Sequence, residues 1–211
     1  MGQRSIEFEL PQVNLGGGTP ADRILGVPYL QQPASNWCWA TCTVMVSRFL
    51  LNISTGICQL VSNHFEGQQC CEGAPTENSA TANSGSEFFW AATPCNKTIK
   101  AAHVSPLYSK LGIQSNHRGQ KIDFATLADQ IANLGSPVEV AFAWFGGSGH
   151  VVVVRGVSMQ SRMVRVSDPW PDTGEAIIPF SELETAYGRG EWFDCWTDFR
   201  KQQESPSDGT V

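Results

Sequence analysis

From residue 138 to residue 199 the chain reads almost entirely as strands. "VEVAFAWF", "HVVVVRGV", "MVRVSD", "EAIIPF" and "EWFDCWTDF" are short runs rich in β-branched and aromatic residues, separated by turn chemistry. One short helix, "SELETAY", interrupts them, with Ser181 and Glu184 as a capping box and Gly188 as its stop. Before residue 138 the periodicity is helical. "DFATLADQIANLGSP" predicts a helix capped by Asp123, with Phe124, Leu127, Ile131 and Leu134 on one face and Gly135 and Pro137 ending it. A second helix is expected from about 37 to 51, capped by Ser35 or Asn36, with Trp39, Thr43, Val46 and Phe49 or Leu50 as its buried stripe. A short one is expected near 57–65. Helices first and an antiparallel sheet second, with the halves unmixed, give an α+β fold.

The organisation follows from the same pattern. Residues 1–26 read as an N-terminal arm, with a flexible break at "NLGGGTP" and proline-extended chain after it. Residues 27–200 read as one domain, its helical half about 35–135 and its sheet half about 136–200, and 201–211 as a flexible tail. Between 66 and 98 Gly, Ser, Asn, Thr and Pro dominate. So long a segment without its own structure is unusual in one domain, so cross-links and a short helix at "SEFFWAA" are expected. No internal repeat is visible.

A net charge of −6 leaves no basic stripe to neutralise phosphates, which argues against nucleic acid as a partner. No run of apolar residues is long enough to span a membrane. The opening "MGQRSIEFELPQVN" has no apolar core of signal-peptide length, and Ile6 stands where myristoylation requires Ser or Thr. Yet seven cysteines are many for a reducing compartment, so a secreted or exported protein is expected without a visible signal. Their odd number leaves at least one thiol unpaired.

That thiol is best sought in "QQPASNWCWATC". Cys38 falls in the first turn of the first helix, where free backbone amides and the helix dipole favour a thiolate. The competing reading is a buried or bridged cysteine. A nucleophile also needs a base. His64, His103 and His117 lie in polar, loop-like surroundings and read as surface residues. His150 follows "FGGSG" and opens "VVVVRGV", at the start of a central strand beside a backbone without side chains. The turn at "SMQS" pairs Val157 with Val164, and counting outward brings His150 opposite "DPWP". Asp168 therefore falls where a carboxylate can bond the second ring nitrogen, although Asp-Pro is also a common turn opener.

With those contexts in place, "QQPASNWCWA", "GHVVVV" and "DPW" resemble the papain-like cysteine peptidases over residues 27 to 199. The resemblance implies Gln32 as oxyanion donor, Cys38 as nucleophile, His150 as base, Asp168 as the orienting residue, and Trp39 and Trp170 as cleft or shielding indoles. The pattern "VPYLQQ…WCWA…C…CC…C…GHVVVV…DPW" is most similar to a compact bacterial branch that includes secreted peptidases and plant-pathogen effector proteases. Asp stands at 168 where papain has Asn, and no papain-type pro-segment is seen. A Gln side chain and the Cys38 amide would together hold the oxyanion, and losing one such donor costs about 10²–10³ in turnover.

Cys42 and Cys195 read as core thiols, Cys195 on a face shared with Phe193 and Phe199. Cys58, Cys70, Cys71 and Cys95 remain as disulfide candidates with three possible pairings. A zinc site using His64 or His103 is the rival reading, but CxxC pairs and regular ligand spacing are missing. No cofactor or metal is expected. The expected protein is a monomeric thiol peptidase acting on proteins or peptides. An acyltransferase or transglutaminase-like enzyme with the same triad is an alternative, as is a non-catalytic, disulfide-stabilised binding domain.

Overall fold

The computed structural model describes residues 22–66, 68, 70, 71 and 94–203. In chain order the elements are β1 (Arg23–Ile24), α1 (Cys38–Leu51), α2 (Ile57–His64), α3 (Val104–Lys110) and β2 (Ile113–His117). They continue with α4 (Phe124–Ala132), β3 (Val138–Trp144), β4 (Gly149–Ser158), β5 (Met163–Asp168), β6 (Gly174–Pro179), α5 (Phe180–Glu184) and β7 (Gly190–Lys201). The strands make one antiparallel sheet in the order β2-β7-β3-β4-β5-β6, and β1 pairs with the length of β4 that β3 leaves free. The fold is α+β. The arm before residue 22, the "SEFFWAA" helix and the tail beyond 203 lie outside the described residues.

The five sheet runs expected after residue 138 are all strands, and the β4–β5 hairpin sets Val157 against Val164. Four local expectations are corrected. α1 has Trp37 at its N-cap rather than Ser35 or Asn36, which are engaged with Asn96 instead. α4 stops at Ala132, so Leu134 falls past its end and is 58% exposed. α5 has Pro179 at its N-cap, two residues before Ser181, which places Ser181 inside the helix, and no side chain caps it. Phe193 is the extra residue of a β-bulge in β7, where Ala141 faces Asp194 and Phe142 faces Trp192. The bulge breaks the alternation, so Phe193 is exposed while Cys195 and Phe199 are buried. The polar edge strand β2 carried no alternating signal, because only Ile113 of its five residues is buried.

α1 is buried on all sides over its first ten residues, which is why a one-sided stripe describes it poorly. Cys42, Met45 and Val46 face the main core with Val140, Val152 and Phe142 from the sheet. Trp39, Ala40 and Val44 face a smaller cluster with Ile57, Leu60 and Val61 of α2 and the buried Cys70 and Cys95. The first turn of α1 thus emerges at the junction of two hydrophobic clusters. The Asp123 side chain caps α4 by accepting from the Thr126 amide at 2.7 Å.

Candidate active site

Cys38 is the first residue of α1 and only 6% exposed. The loop before it is held from across the chain. Trp37 Nε1 donates to the Cys95 carbonyl at 2.8 Å, Trp39 Nε1 donates to the Lys97 carbonyl at 3.0 Å, and Asn36 Nδ2 donates to the Asn96 carbonyl at 2.9 Å. Disulfides join Cys70 to Cys95 and Cys58 to Cys71, one of the three open pairings. The first of these anchors the 95–97 segment that clamps the start of α1. With all four thiols bridged, none of them is available to a zinc ion. Trp39 is turned into the smaller cluster, 5.2 Å from the His64 ring, and braces the helix from below.

His150 is delivered by the β3–β4 hairpin. Gly149, just before it, runs so close to β3 that a Cβ there would lie 2.8 Å from the Phe142 carbonyl oxygen. The imidazole is 6% exposed and sits in an aromatic corner. Trp144 stacks on it at 5.9 Å, and Trp170 meets it edge-on at 6.1 Å. Its Nε2 lies 2.6 Å from Asp168 Oδ1, which leaves Nδ1 as the ring nitrogen for the hydrogen bond that it shares with the Cys38 thiol.

Asp168, 1% exposed, ends β5 and opens the Asp-Pro turn. Its Oδ1 also accepts the Trp170 amide at 2.8 Å, so the turn-forming and His-bonding readings of this residue are both realised. Its Oδ2 accepts the Tyr187 hydroxyl at 3.1 Å. Burial pulls the His150 pKa down, but the bonds and charges of Asp168 and Cys38 outweigh it and raise the value from 6.5 to about 9. Such an imidazole is an imidazolium at neutral pH, the charge that a partner thiolate requires.

Gln32 reaches the same corner, its backbone amide donating to the Pro169 carbonyl at 2.8 Å. Its side-chain Nε2 donates to the Ala34 and Ser35 carbonyls at 2.9 and 3.1 Å, while Oε1 is buried without a partner among the described residues. Both amide hydrogens therefore face the loop in this conformation.

Cys42 Sγ donates to the Val151 carbonyl at 3.3 Å, and its pKa is pushed well up by burial first and then by Glu139. Burial, followed by Asp194, pushes the Cys195 pKa up to about 12. Neither is suited to nucleophilic chemistry. The structure brings together Cys38, His150 and Asp168, which sequence reasoning had singled out, and sets Trp144 and Tyr187, which it had not, against them. Trp144 sits six residues before His150 and was legible only as a strand aromatic.

Residues 24–202 match the model of the "Peptidase_C39 like family". The chain belongs to that family. This Peptidase_C39-like protein is a cysteine peptidase with a papain-like fold. No curated protein matches its sequence. Among solved structures it is similar to xylellain, a cysteine protease from Xylella fastidiosa, at 14% identity and a TM-score of 0.53, with 88% of each chain covered. It is also similar to the peptidase domain of Streptococcus ComA, described as a bi-functional ABC transporter involved in quorum sensing. That match has 12% identity and a TM-score of 0.53, covering 83% of this chain and 99% of the other. Among the described residues of the family member, no helix is long and apolar enough to cross a membrane.

Proposed function

We propose that this cysteine peptidase hydrolyses peptide bonds through a thioester on Cys38. The single observation that supports it best is the continuous hydrogen-bonded line from the helix-opening Cys38 through His150 to the buried Asp168. The Cys38 thiolate attacks the scissile carbonyl carbon, and the carbonyl oxygen takes up the electron pair. The Cys38 backbone N–H is one donor to that oxyanion. Gln32 is the other once its amide turns from the loop carbonyls, a change favoured because the anion is a stronger acceptor than a neutral carbonyl. As the tetrahedral species collapses, the C–N bond breaks and His150 gives its proton to the leaving amine. Water then attacks the thioester, His150 takes the water's proton, and the thiolate leaves. Asp168 keeps the ring oriented throughout and balances its positive charge.

The substrate is a protein or peptide, the enzyme a monomer, and residues 27–200 its catalytic domain. The two disulfides support an oxidising, extracytoplasmic location, and the resemblance to the compact bacterial branch supports a bacterial source. A thiol-directed epoxysuccinyl probe followed by a peptide-library digest tests this reading. Only Cys38 should label near neutral pH, and cleavage should vanish in Cys38→Ala. Equal labelling of Cys42 or Cys195, or undiminished cleavage by Cys38→Ala, overturns it. If an added amine captured the acyl group in preference to water, the reaction would be acyl transfer.

A further inference from the structure

Ala186, Tyr187 and Gly188 have φ values of 46°, 58° and 73°, three left-handed residues in succession of which only the last is glycine. L-residues with a Cβ avoid this region, and a pair of them persists only where the surroundings hold them there. The segment is well held. The Ala186 amide donates to the Leu183 carbonyl at 3.1 Å, the Tyr187 amide to the Glu182 carbonyl at 2.9 Å, and the Arg189 amide to the Ala186 carbonyl at 3.1 Å. Its exit is equally constrained, because a Cβ on Gly190 would lie 2.1 Å from the Ala143 carbonyl oxygen. What this turn delivers is the Tyr187 side chain. Its ring meets Phe142 edge-on at 5.4 Å, and its hydroxyl donates to Asp168 Oδ2 at 3.1 Å.

The other two donors to Asp168, His150 Nε2–H and the Trp170 amide, both converge on Oδ1. Both of these bonds hold the carboxylate through one oxygen alone. A donor on the second oxygen holds the group from its other end as well and also satisfies a buried acceptor that has no other partner among the described residues. We propose that Tyr187 is a positioning residue, whose hydroxyl completes the hold on the Asp168 carboxylate from its second oxygen and, through it, on the plane of the His150 ring. The proposal rests on the peptidase reading above. Burial first, and then the Asp168 charge, raise the pKa of the phenol, so it remains a donor across the working pH range. Tyr29 provides the comparison. Its hydroxyl lies 3.8 Å from the position of a Cβ on Gly174, the strand partner of Asp168, and feels the Asp168 charge without a hydrogen bond to it among the described residues.

Tyr187→Phe removes the hydroxyl and keeps the ring against Phe142. It should lower kcat about tenfold at unchanged KM, the loss expected for one hydrogen bond to a charged group. It should also shift the downfield proton resonance of the His150–Asp168 hydrogen bond, and Tyr29→Phe should do neither. A role confined to folding would move the melting temperature without that resonance. In an Asp168→Ala background, where the hydroxyl has nothing to orient, Tyr187→Phe should change kcat by less than about twofold. Wild-type kcat in Tyr187→Phe, or an equal loss in both backgrounds, overturns the proposal. Persisting hydrolysis by the Cys38→Ala control would instead refute the peptidase reading on which it stands.

Discussion

Asp168→Ala is the perturbation whose consequences the geometry defines most fully. The carboxylate accepts from His150 Nε2 at 2.6 Å inside a site that is almost closed to solvent. A hydrogen bond to a charged group of this kind contributes about 1.5–3 kcal/mol. At about 1.4 kcal/mol per pH unit, its loss should lower the His150 pKa by about one to two units. The alkaline limb of kcat/KM follows the imidazolium, so it should move from about 9 in the wild type by that amount toward neutrality. Stability changes in the same direction. A histidine raised from 6.5 to about 9 stabilises the fold fully below 6.5, and the contribution is lost as pH rises through 9. In Asp168→Ala that loss should come earlier in the titration. The Trp170 amide and Tyr187 hydroxyl also lose their acceptor, at about 1–3 kcal/mol for each donor left buried. Asp168→Asn keeps an oxygen for His150 and should be milder. The assay is hydrolysis of an internally quenched peptide across both pH limbs, with melting measured over the same range. An alkaline limb in Asp168→Ala that superimposes on the wild type would refute the reasoning and require another group to hold His150.

Two further outcomes are expected. The bridges close sequence separations of 13 and 25 residues, for which chain entropy gives about 3 and about 3.5 kcal/mol. Opening Cys70–Cys95 by paired serine substitution should therefore lower stability by about 3.5 kcal/mol in denaturant titration. It should also depress turnover, because the 95–97 segment that clamps Trp37 and Trp39 is released; unchanged turnover would remove the clamp from the mechanism. The second outcome concerns the arm, whose glycine run at Gly16 to Gly18 precedes the first described residue and reads either as a simple linker or as a self-processing site. Self-processing predicts, in N-terminal sequencing after long incubation, a new end near Thr19 in the active enzyme and none in Cys38→Ala, while an intact Met1 in active enzyme leaves a simple linker.

Local sequence carried the strands and singled out the three residues that the fold brings together in the candidate site. Strand runs were legible because period and turn chemistry are properties of a few adjacent residues, and the "SMQS" turn fixed the Val157–Val164 register within one hairpin. Cys38, His150 and Asp168 were legible for the same reason, each sitting in a distinctive setting: a helix start, a glycine-rich strand start and an Asp-Pro turn. The tertiary structure alone decided what depends on distant segments meeting. Three pairings of Cys58, Cys70, Cys71 and Cys95 satisfy the sequence equally, and packing beneath α1 selects one. Whether the Gln32 amide faces the oxyanion or its own loop depends on carbonyls brought within reach by folding. Phe193 continued an apolar alternation until the β7 bulge turned it to solvent. Tyr187 had no local signal, since neither it nor Ala186 favours a left-handed backbone. It reaches Asp168 only because packing and backbone hydrogen bonds hold that turn against its own propensity.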